Sequence, residues 1–243
     1  GSAGAQPVIY DGNADLDKEA VLHKTNGKYT PEIWAGDFPE RALDSLDLIV
    51  LSPGVPTDLP LVKSFYEKGL PVWSEVELAY RTGKGEVLAI TGTNGKTTTT
   101  ALLGKIMGDA RESVFVVGNI GTAYTSKSLE MREDSVTVAE ISSFQLETID
   151  QFRPGPEDVC VLNYEDEVLR KFGENIVPKV VYFSSLRKLD QGIYLDGDQI
   201  ILKTEKEEIP IVKTEELKIL GRHNHENVMA AAAMAYYAGV SVE

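Results

Sequence analysis

Residues 86–107 read EVLAITGTNGKTTTTALLGKIM and constrain this chain more than any other stretch. A short apolar run leads into Gly92-Thr93-Asn94-Gly95-Lys96-Thr97-Thr98, and a helix-forming segment follows with apolar Ala101, Leu102, Leu103, Ile106 and Met107. Strand, tight glycine loop and helix in that order present backbone N–H groups and a helix N-terminus to a polyphosphate. In that arrangement Lys96 aims at the β- and γ-phosphates, and the Thr97 hydroxyl is placed to hold Mg²⁺. The loop is a shortened variant, because Ile90 stands where the strict pattern wants its first glycine. A glycine cap before an ordinary helix would not explain a lysine at the point where loop becomes helix. The expected ligand is a nucleoside triphosphate.

Composition narrows the class. At 243 residues the chain is long enough for two modest domains or one large one. Its 42% hydrophobic and 26% charged content is ordinary for a globular protein. The longest apolar stretches fall well short of a membrane span, and the first residues show no basic-then-apolar leader, so no membrane partner is expected and the compartment is expected to be the cytoplasm. The lone cysteine, Cys160, sits in the apolar run DVCVLN, where it reads as a buried strand thiol rather than a nucleophile. A net charge of −14 argues against a nucleic-acid surface. A phosphate-bearing ligand must therefore be held by local donors.

Strand-like and helix-like segments alternate along the chain. Pro7–Asp11, Asp47–Leu51 and Pro71–Ser74 read as short buried strands, and Leu59–Lys68 and Glu75–Arg81 as helices. Gly83-Lys84-Gly85 breaks the pattern and marks a boundary between a domain over residues 1–83 and another over 84–243. Past it, Val114–Val117, Val136–Ala139, Val159–Leu162 and Val180–Phe183 are continuous apolar strands, the pattern of a mostly parallel sheet covered on both faces. Asp196-Gly197-Asp198, between two apolar triplets, signals an added β-hairpin. The last element is a helix over about 226–238. His223 and His225 precede it without metal-ligand spacing, and Asn224 or His225 can serve as its cap.

In α/β sheets of this kind, ligand-contacting residues lie at the carboxyl ends of strands. Glu140 ends one strand, Asn119 follows another and Asn163 a third. Singly each has an ordinary reading, Glu140 as a solvated or capping carboxylate and Asn119 as a turn former. A carboxylate at a strand tip beside the phosphate loop is what a second Mg²⁺ contact needs.

Four segments together, GTNGKTTTT, the GNIG of Gly118–Gly121, EISSFQLE of Glu140–Glu147 and GRHNHEN of Gly221–Asn227, resemble the Mur ligases of bacterial cell-wall synthesis. SSFQLE and the LSPGVP of Leu51–Pro56 are most similar to the D-glutamate-adding branch. The resemblance implies a Rossmann-like UDP-substrate domain followed by an ATP-binding P-loop central domain. It implies an enzyme, most often a monomer, that uses ATP and Mg²⁺ to join D-glutamate to UDP-N-acetylmuramoyl-L-alanine through an acyl phosphate. Lys96 and Glu140 then correspond to catalytic groups, and Thr97 and Glu140 to metal ligands. Gly92 through Thr98 and Asn227 correspond to nucleotide contacts, Asn227 reading adenine. Asp11, Ser52, Pro53, Gly54, Asn119, Ser142 and Ser143 correspond to contacts with the UDP-sugar substrate.

The chain departs from the family pattern in three places. A first strand and glycine turn that contact the diphosphate have no counterpart before Gly4. A segment carrying a metal-binding histidine and a carbamylated lysine is missing, and is expected to leave a break between Asn163 and Tyr164, with another near Ala3/Gly4. The family's third domain would begin where the sequence stops at Glu243. The competing readings are another Mur or folylpolyglutamate-synthase-like ligase, and a nucleotide-binding module without ligase chemistry.

Overall fold

The computed structural model describes residues 4–25, 29–119, 121–219 and 221–242. In chain order the first elements are β1 (Val8–Asp11), α1 (Lys18–His23), β2 (Glu32–Ala35), β3 (Ile49–Leu51), α2 (Pro60–Glu67), β4 (Val72–Ser74) and α3 (Glu75–Thr82). Then come β5 (Glu86–Ile90), α4 (Lys96–Ala110), β6 (Val114–Gly118), β7 (Val136–Glu140), α5 (Ser143–Leu146), β8 (Val159–Asn163) and α6 (Glu167–Gly173). The chain closes with β9 (Lys179–Ser184), β10 (Gly192–Asp196), β11 (Gln199–Lys203), β12 (Glu208–Lys213) and α7 (Arg222–Tyr237). Two compact units result, one of residues 1–49 and 60–71, the other of 50–59 and 72–243.

The smaller unit pairs β1 and β2 in parallel, Val8 opposite Glu32 through Asp11 opposite Ala35. Its core is aromatic. Phe38 meets Tyr10, Trp34 and Phe65 edge to face at centroid distances of 5.2, 5.7 and 5.5 Å, the geometry that ring quadrupoles favour. Sequence patterning does not anticipate β2 or α1. β2 is four residues long and none of them is fully buried, and α1 is a six-residue helix with no buried side chain, held at its start by the Asp17 cap on Ala20 N.

The larger unit carries a fully parallel sheet in the order β5-β7-β6 and a five-stranded sheet in the order β12-β11-β10-β9-β8. β8, β9 and β10 run parallel, and β10, β11 and β12 antiparallel. The expected hairpin is present, with Asp196 opposite Gln199 and Gly197 at φ +62° in the turn. The mixed α/β class with mostly parallel sheets therefore holds. β7 is buried at every position, as a central parallel strand must be. Helix α7 joins the two sheets. Ala231 and Ala235 pack with Ile90, Val136 and Val138, while Val228, Met229 and Ala233 pack with Val181 and Ile193. The Gly83–Gly85 turn lies inside this unit, where Glu86 N donates to Ser135 O at 2.9 Å.

Asn163 Oδ1 accepts from Glu165 N at 2.9 Å and Tyr164 N donates to Phe183 O at 2.9 Å, an asparagine turn leading from β8 into α6. One expectation needs correction: helix α7 starts earlier than expected, at Arg222. His223, Asn224 and His225 lie in its first turn, and Gly221 is the cap, with no side-chain cap bond. The Ala3/Gly4 junction and Ile120 of the GNIG motif fall outside the described residues.

Candidate active site

The three parallel strands β5, β7 and β6 end at one level, because their registers pair Ile90 with Glu140 and Gly118 with Glu140. Glu140 thus stands at the central tip, with the phosphate loop leaving from one side and Asn119 from the other. Ile141 N donates to Ile90 O at 2.8 Å and Asn119 N to Glu140 O at 2.8 Å, tying the three exits together. Gly118 sits at φ +112°, and a Cβ there would overlap the Glu140 carbonyl, so only glycine lets β6 pass this close.

The phosphate loop is open. Gly92, Thr93, Asn94 and Thr97 are exposed, while Gly95, Lys96 and Thr98 are half-buried. Lys96 Nζ folds back to Gly92 O at 2.7 Å, placing its charge over the loop where an incoming polyphosphate would lie. Helix α4 starts at Lys96 behind Gly95, and its first backbone N–H groups have no partner within the helix. A fifteen-residue helix aims the positive end of its dipole at the same place.

Gly95 fits closely against α7. Its φ is +78°, and a Cβ would overlap Asn227 Oδ1 from the first turns of α7. Asn227 also accepts a long 3.4 Å bond from Thr99 and donates to Asn224 Oδ1 at 3.2 Å. The structure therefore brings Asn227 against the phosphate loop. Gly95→Ala adds a left-handed backbone cost of about 1–2 kcal/mol and displaces Asn227. A lower thermal midpoint together with a roughly tenfold loss of nucleotide affinity is expected, checked by melting with and without ATP.

Glu140 is 2% exposed, and among the described residues its Oε2 has no hydrogen-bond partner. Its Oε1 receives only a 3.4 Å bond from Asn119 Nδ2. A buried carboxylate oxygen left unsatisfied costs free energy unless a cation or donor completes it. This is a hard oxygen ligand of the kind Mg²⁺ takes, and with the exposed Thr97 hydroxyl it fits that ion. Among the described residues no group of three or more His, Cys, Asp or Glu is arranged around a metal position. One or two protein oxygens with substrate phosphates is the usual coordination of Mg²⁺.

A second recess lies in the same unit, lined by Ser52, Gly54, Thr57, Phe144, Gln145 and Thr148 among others. Ser52, Pro53 and Gly54 stand together here, exposed, after β3. Ser142 caps α5: it accepts from Gln145 N at 3.4 Å, while Gln145 Oε1 takes Ser142 N at 2.9 Å and its hydroxyl at 3.0 Å. Ser143 is exposed on the next position. Sequence reasoning passed over Gln145, whose buried Nε2 has no partner among the described residues. The S-x-x-Q spacing of a capping box was its available signal. Asp11 belongs to the smaller unit, where its Oδ1 accepts from Asn13 N at 2.9 Å after the end of β1.

The loop after α5 is anchored by Glu77, whose side chain is wholly buried. Its carboxylate accepts from Asp150 N at 2.9 Å, Gln151 N at 3.0 Å, Phe152 N at 3.0 Å and Arg81 Nε at 2.5 Å. Burial pushes the Glu77 carboxyl up, but the three backbone donors and Arg81 outweigh it and hold it below the ordinary carboxylate range. Its stabilising contribution is complete above the unfolded-chain value of about 4.3 and is lost as the pH falls from there through the folded value. In acid titrations Glu77→Gln should be less stable at neutral pH and show a shallower loss of stability below about pH 5. Parallel acid limbs in the two proteins would deny Glu77 that role.

Comparison with known proteins agrees with this geometry. Residues 90–155 match the Mur ligase middle domain. The chain is 44% identical to a UDP-N-acetylmuramoylalanine–D-glutamate ligase of Lachnospira eligens, covering 98% of this chain and 60% of the relative. It is 37% identical to the ligase of that name from Clostridioides difficile, covering 99% and 60%. The chain thus spans about three-fifths of the length of the relatives it matches. The first of these alignments runs over 270 positions against 243 residues, so the relative carries residues without counterpart here. A UDP-N-acetylmuramate:L-alanyl-gamma-D-glutamyl-meso-diaminopimelate ligase from Neisseria meningitides shares the fold at a TM-score of 0.58 and 16% identity, over 100% of this chain and 89% of that one. Residues 90–155 thus match a Mur ligase middle domain, and over nearly its whole length the chain is similar in sequence to the D-glutamate-adding ligases.

Proposed function

We propose that the protein acts as an ATP-dependent amide ligase of peptidoglycan precursor synthesis, adding D-glutamate to UDP-N-acetylmuramoyl-L-alanine. The observation that carries this reading is the strand-tip arrangement, in which the unpartnered Glu140 Oε2 stands beside a phosphate loop closed by Asn227. The likeness to ligases of that name supports the substrate pair.

In this reading ATP lies with its phosphates over Gly92–Thr98 and its base toward Asn227. The L-alanine carboxylate attacks the γ-phosphate, giving an acyl phosphate and ADP; the amine of D-glutamate then displaces phosphate and forms the amide. Lys96 and the α4 N–H groups neutralise charge on the transferring phosphoryl group. Mg²⁺, held by Glu140 and Thr97, would supply further charge neutralisation when bound. Asn119, Ser142 and Ser143 would contact the muramoyl part of the substrate and Ser52, Pro53 and Gly54 its UDP part; Asp11, in the smaller unit, is assigned to the UDP part by resemblance. Residues 1–83 serve as the UDP-substrate domain and 84–243 as the ATP domain of a cytoplasmic, monomeric enzyme.

In this reading the family segment with the metal-binding histidine and the carbamylated lysine belongs between Asn163 and Tyr164. ADP release with UDP-N-acetylmuramoyl-L-alanine and each candidate amino acid in turn tests the function. Release that depends on D-glutamate supports it, and release driven equally by L-alanine or a diamino acid would contradict it.

A further inference from the structure

The two sides of the candidate site rest on different helices. The phosphate loop rests on α7 through Asn227, whereas the loops leaving β6 and β7 are both held by α3. Glu75 Oε1 accepts from Thr125 N at 2.6 Å and from Thr125 Oγ1 at 2.7 Å, fixing the chain that leaves β6 through Asn119. Glu77 takes the backbone N–H groups of Asp150, Gln151 and Phe152, fixing the chain that leaves β7 through Ser142–Gln145. At the head of the helix, Ser74 N donates to Thr148 O at 3.0 Å.

Residues i and i+2 of a helix do not share a face, so Glu75 and Glu77 can each reach a different loop from one turn. The helix is itself fixed. Arg81 bonds Glu77, pairs with Asp150 and lies 4.1 Å over the Trp73 ring, and Tyr80 meets Phe152 edge to face at 5.3 Å. A buried carboxylate with all these partners holds the groups around it in one arrangement, because losing any partner would leave a buried charge uncompensated. What it fixes is the wall formed by Gln145 and Thr148.

We infer that α3 is a clamp, with Glu75 and Glu77 as positioning residues that set the muramoyl-substrate wall independently of the phosphate loop. The inference rests on the ligase reading above. Its test is calorimetric titration of the whole chain and of Glu77→Gln with two probes, UDP-N-acetylmuramoyl-L-alanine and ATP with Mg²⁺. Amide exchange at residues 150–152 is followed alongside. Glu77→Gln should bind the UDP substrate at least tenfold more weakly, keep ATP affinity within twofold, and exchange those amides at least tenfold faster. Equal losses for both probes, or no loss for the UDP substrate despite faster exchange, would overturn the clamp. Where Glu77→Gln does not fold, Glu75→Gln decides. It should lose at least threefold in UDP-substrate affinity with ATP affinity unchanged, and an unchanged UDP-substrate affinity overturns the clamp. An unaltered chain that binds ATP but no UDP substrate contradicts the ligase reading, and the clamp with it.

Discussion

Lys96→Ala should lower ATP turnover by roughly 10²–10³-fold while moving the thermal midpoint little. The side chain makes its bond to the loop carbonyl of Gly92 and packs into none of the core clusters. Replacements away from core and network features usually stay within about 0.5 kcal/mol. The loss should therefore fall on phosphate stabilisation, where a positive charge over the loop acts on the transferring group. Unchanged turnover in this variant would remove Lys96 from the mechanism, and a collapsed fold would reassign it to structure.

Glu140→Gln separates a metal role from a structural one by the sign of its stability effect. The side chain is buried with one oxygen unpartnered, so removing its charge without Mg²⁺ should leave stability unchanged or raise it. With Mg²⁺ the variant should need a higher concentration of the ion and turn over on the order of 100-fold more slowly. Melting curves and Mg²⁺ titrations of turnover check both halves. A destabilised variant with an unaltered Mg²⁺ requirement would make Glu140 a structural residue.

The strand–loop–helix around Lys96 was legible because the information is local. An apolar strand, two glycines and a lysine at a helix start leave one arrangement open. The parallel strands were legible because β-branched apolar runs such as Val136–Ala139 need burial on both faces. Glu140 could be placed at a strand tip, but its pairing against Ile90 and Gly118 depends on sheet order, which no residue of β7 encodes. Asn227 is further away still, since its fit against Gly95 joins positions 132 residues apart in sequence. Glu77 gave no signal at all. In sequence it is a polar position on an amphipathic helix, and only the fold brings three backbone N–H groups to it.

The central claim is that the loop at Gly92–Thr98 holds the phosphates of ATP. Calorimetric titration of the 243-residue chain with ATP and Mg²⁺, repeated with AMP and with Lys96→Ala, tests it most directly. The account predicts saturable binding of one ATP per chain, at least tenfold weaker binding of AMP, which lacks the β- and γ-phosphates, and a matching loss for ATP in the variant. Equal affinity for AMP and ATP, or ATP binding indifferent to Lys96, would contradict it.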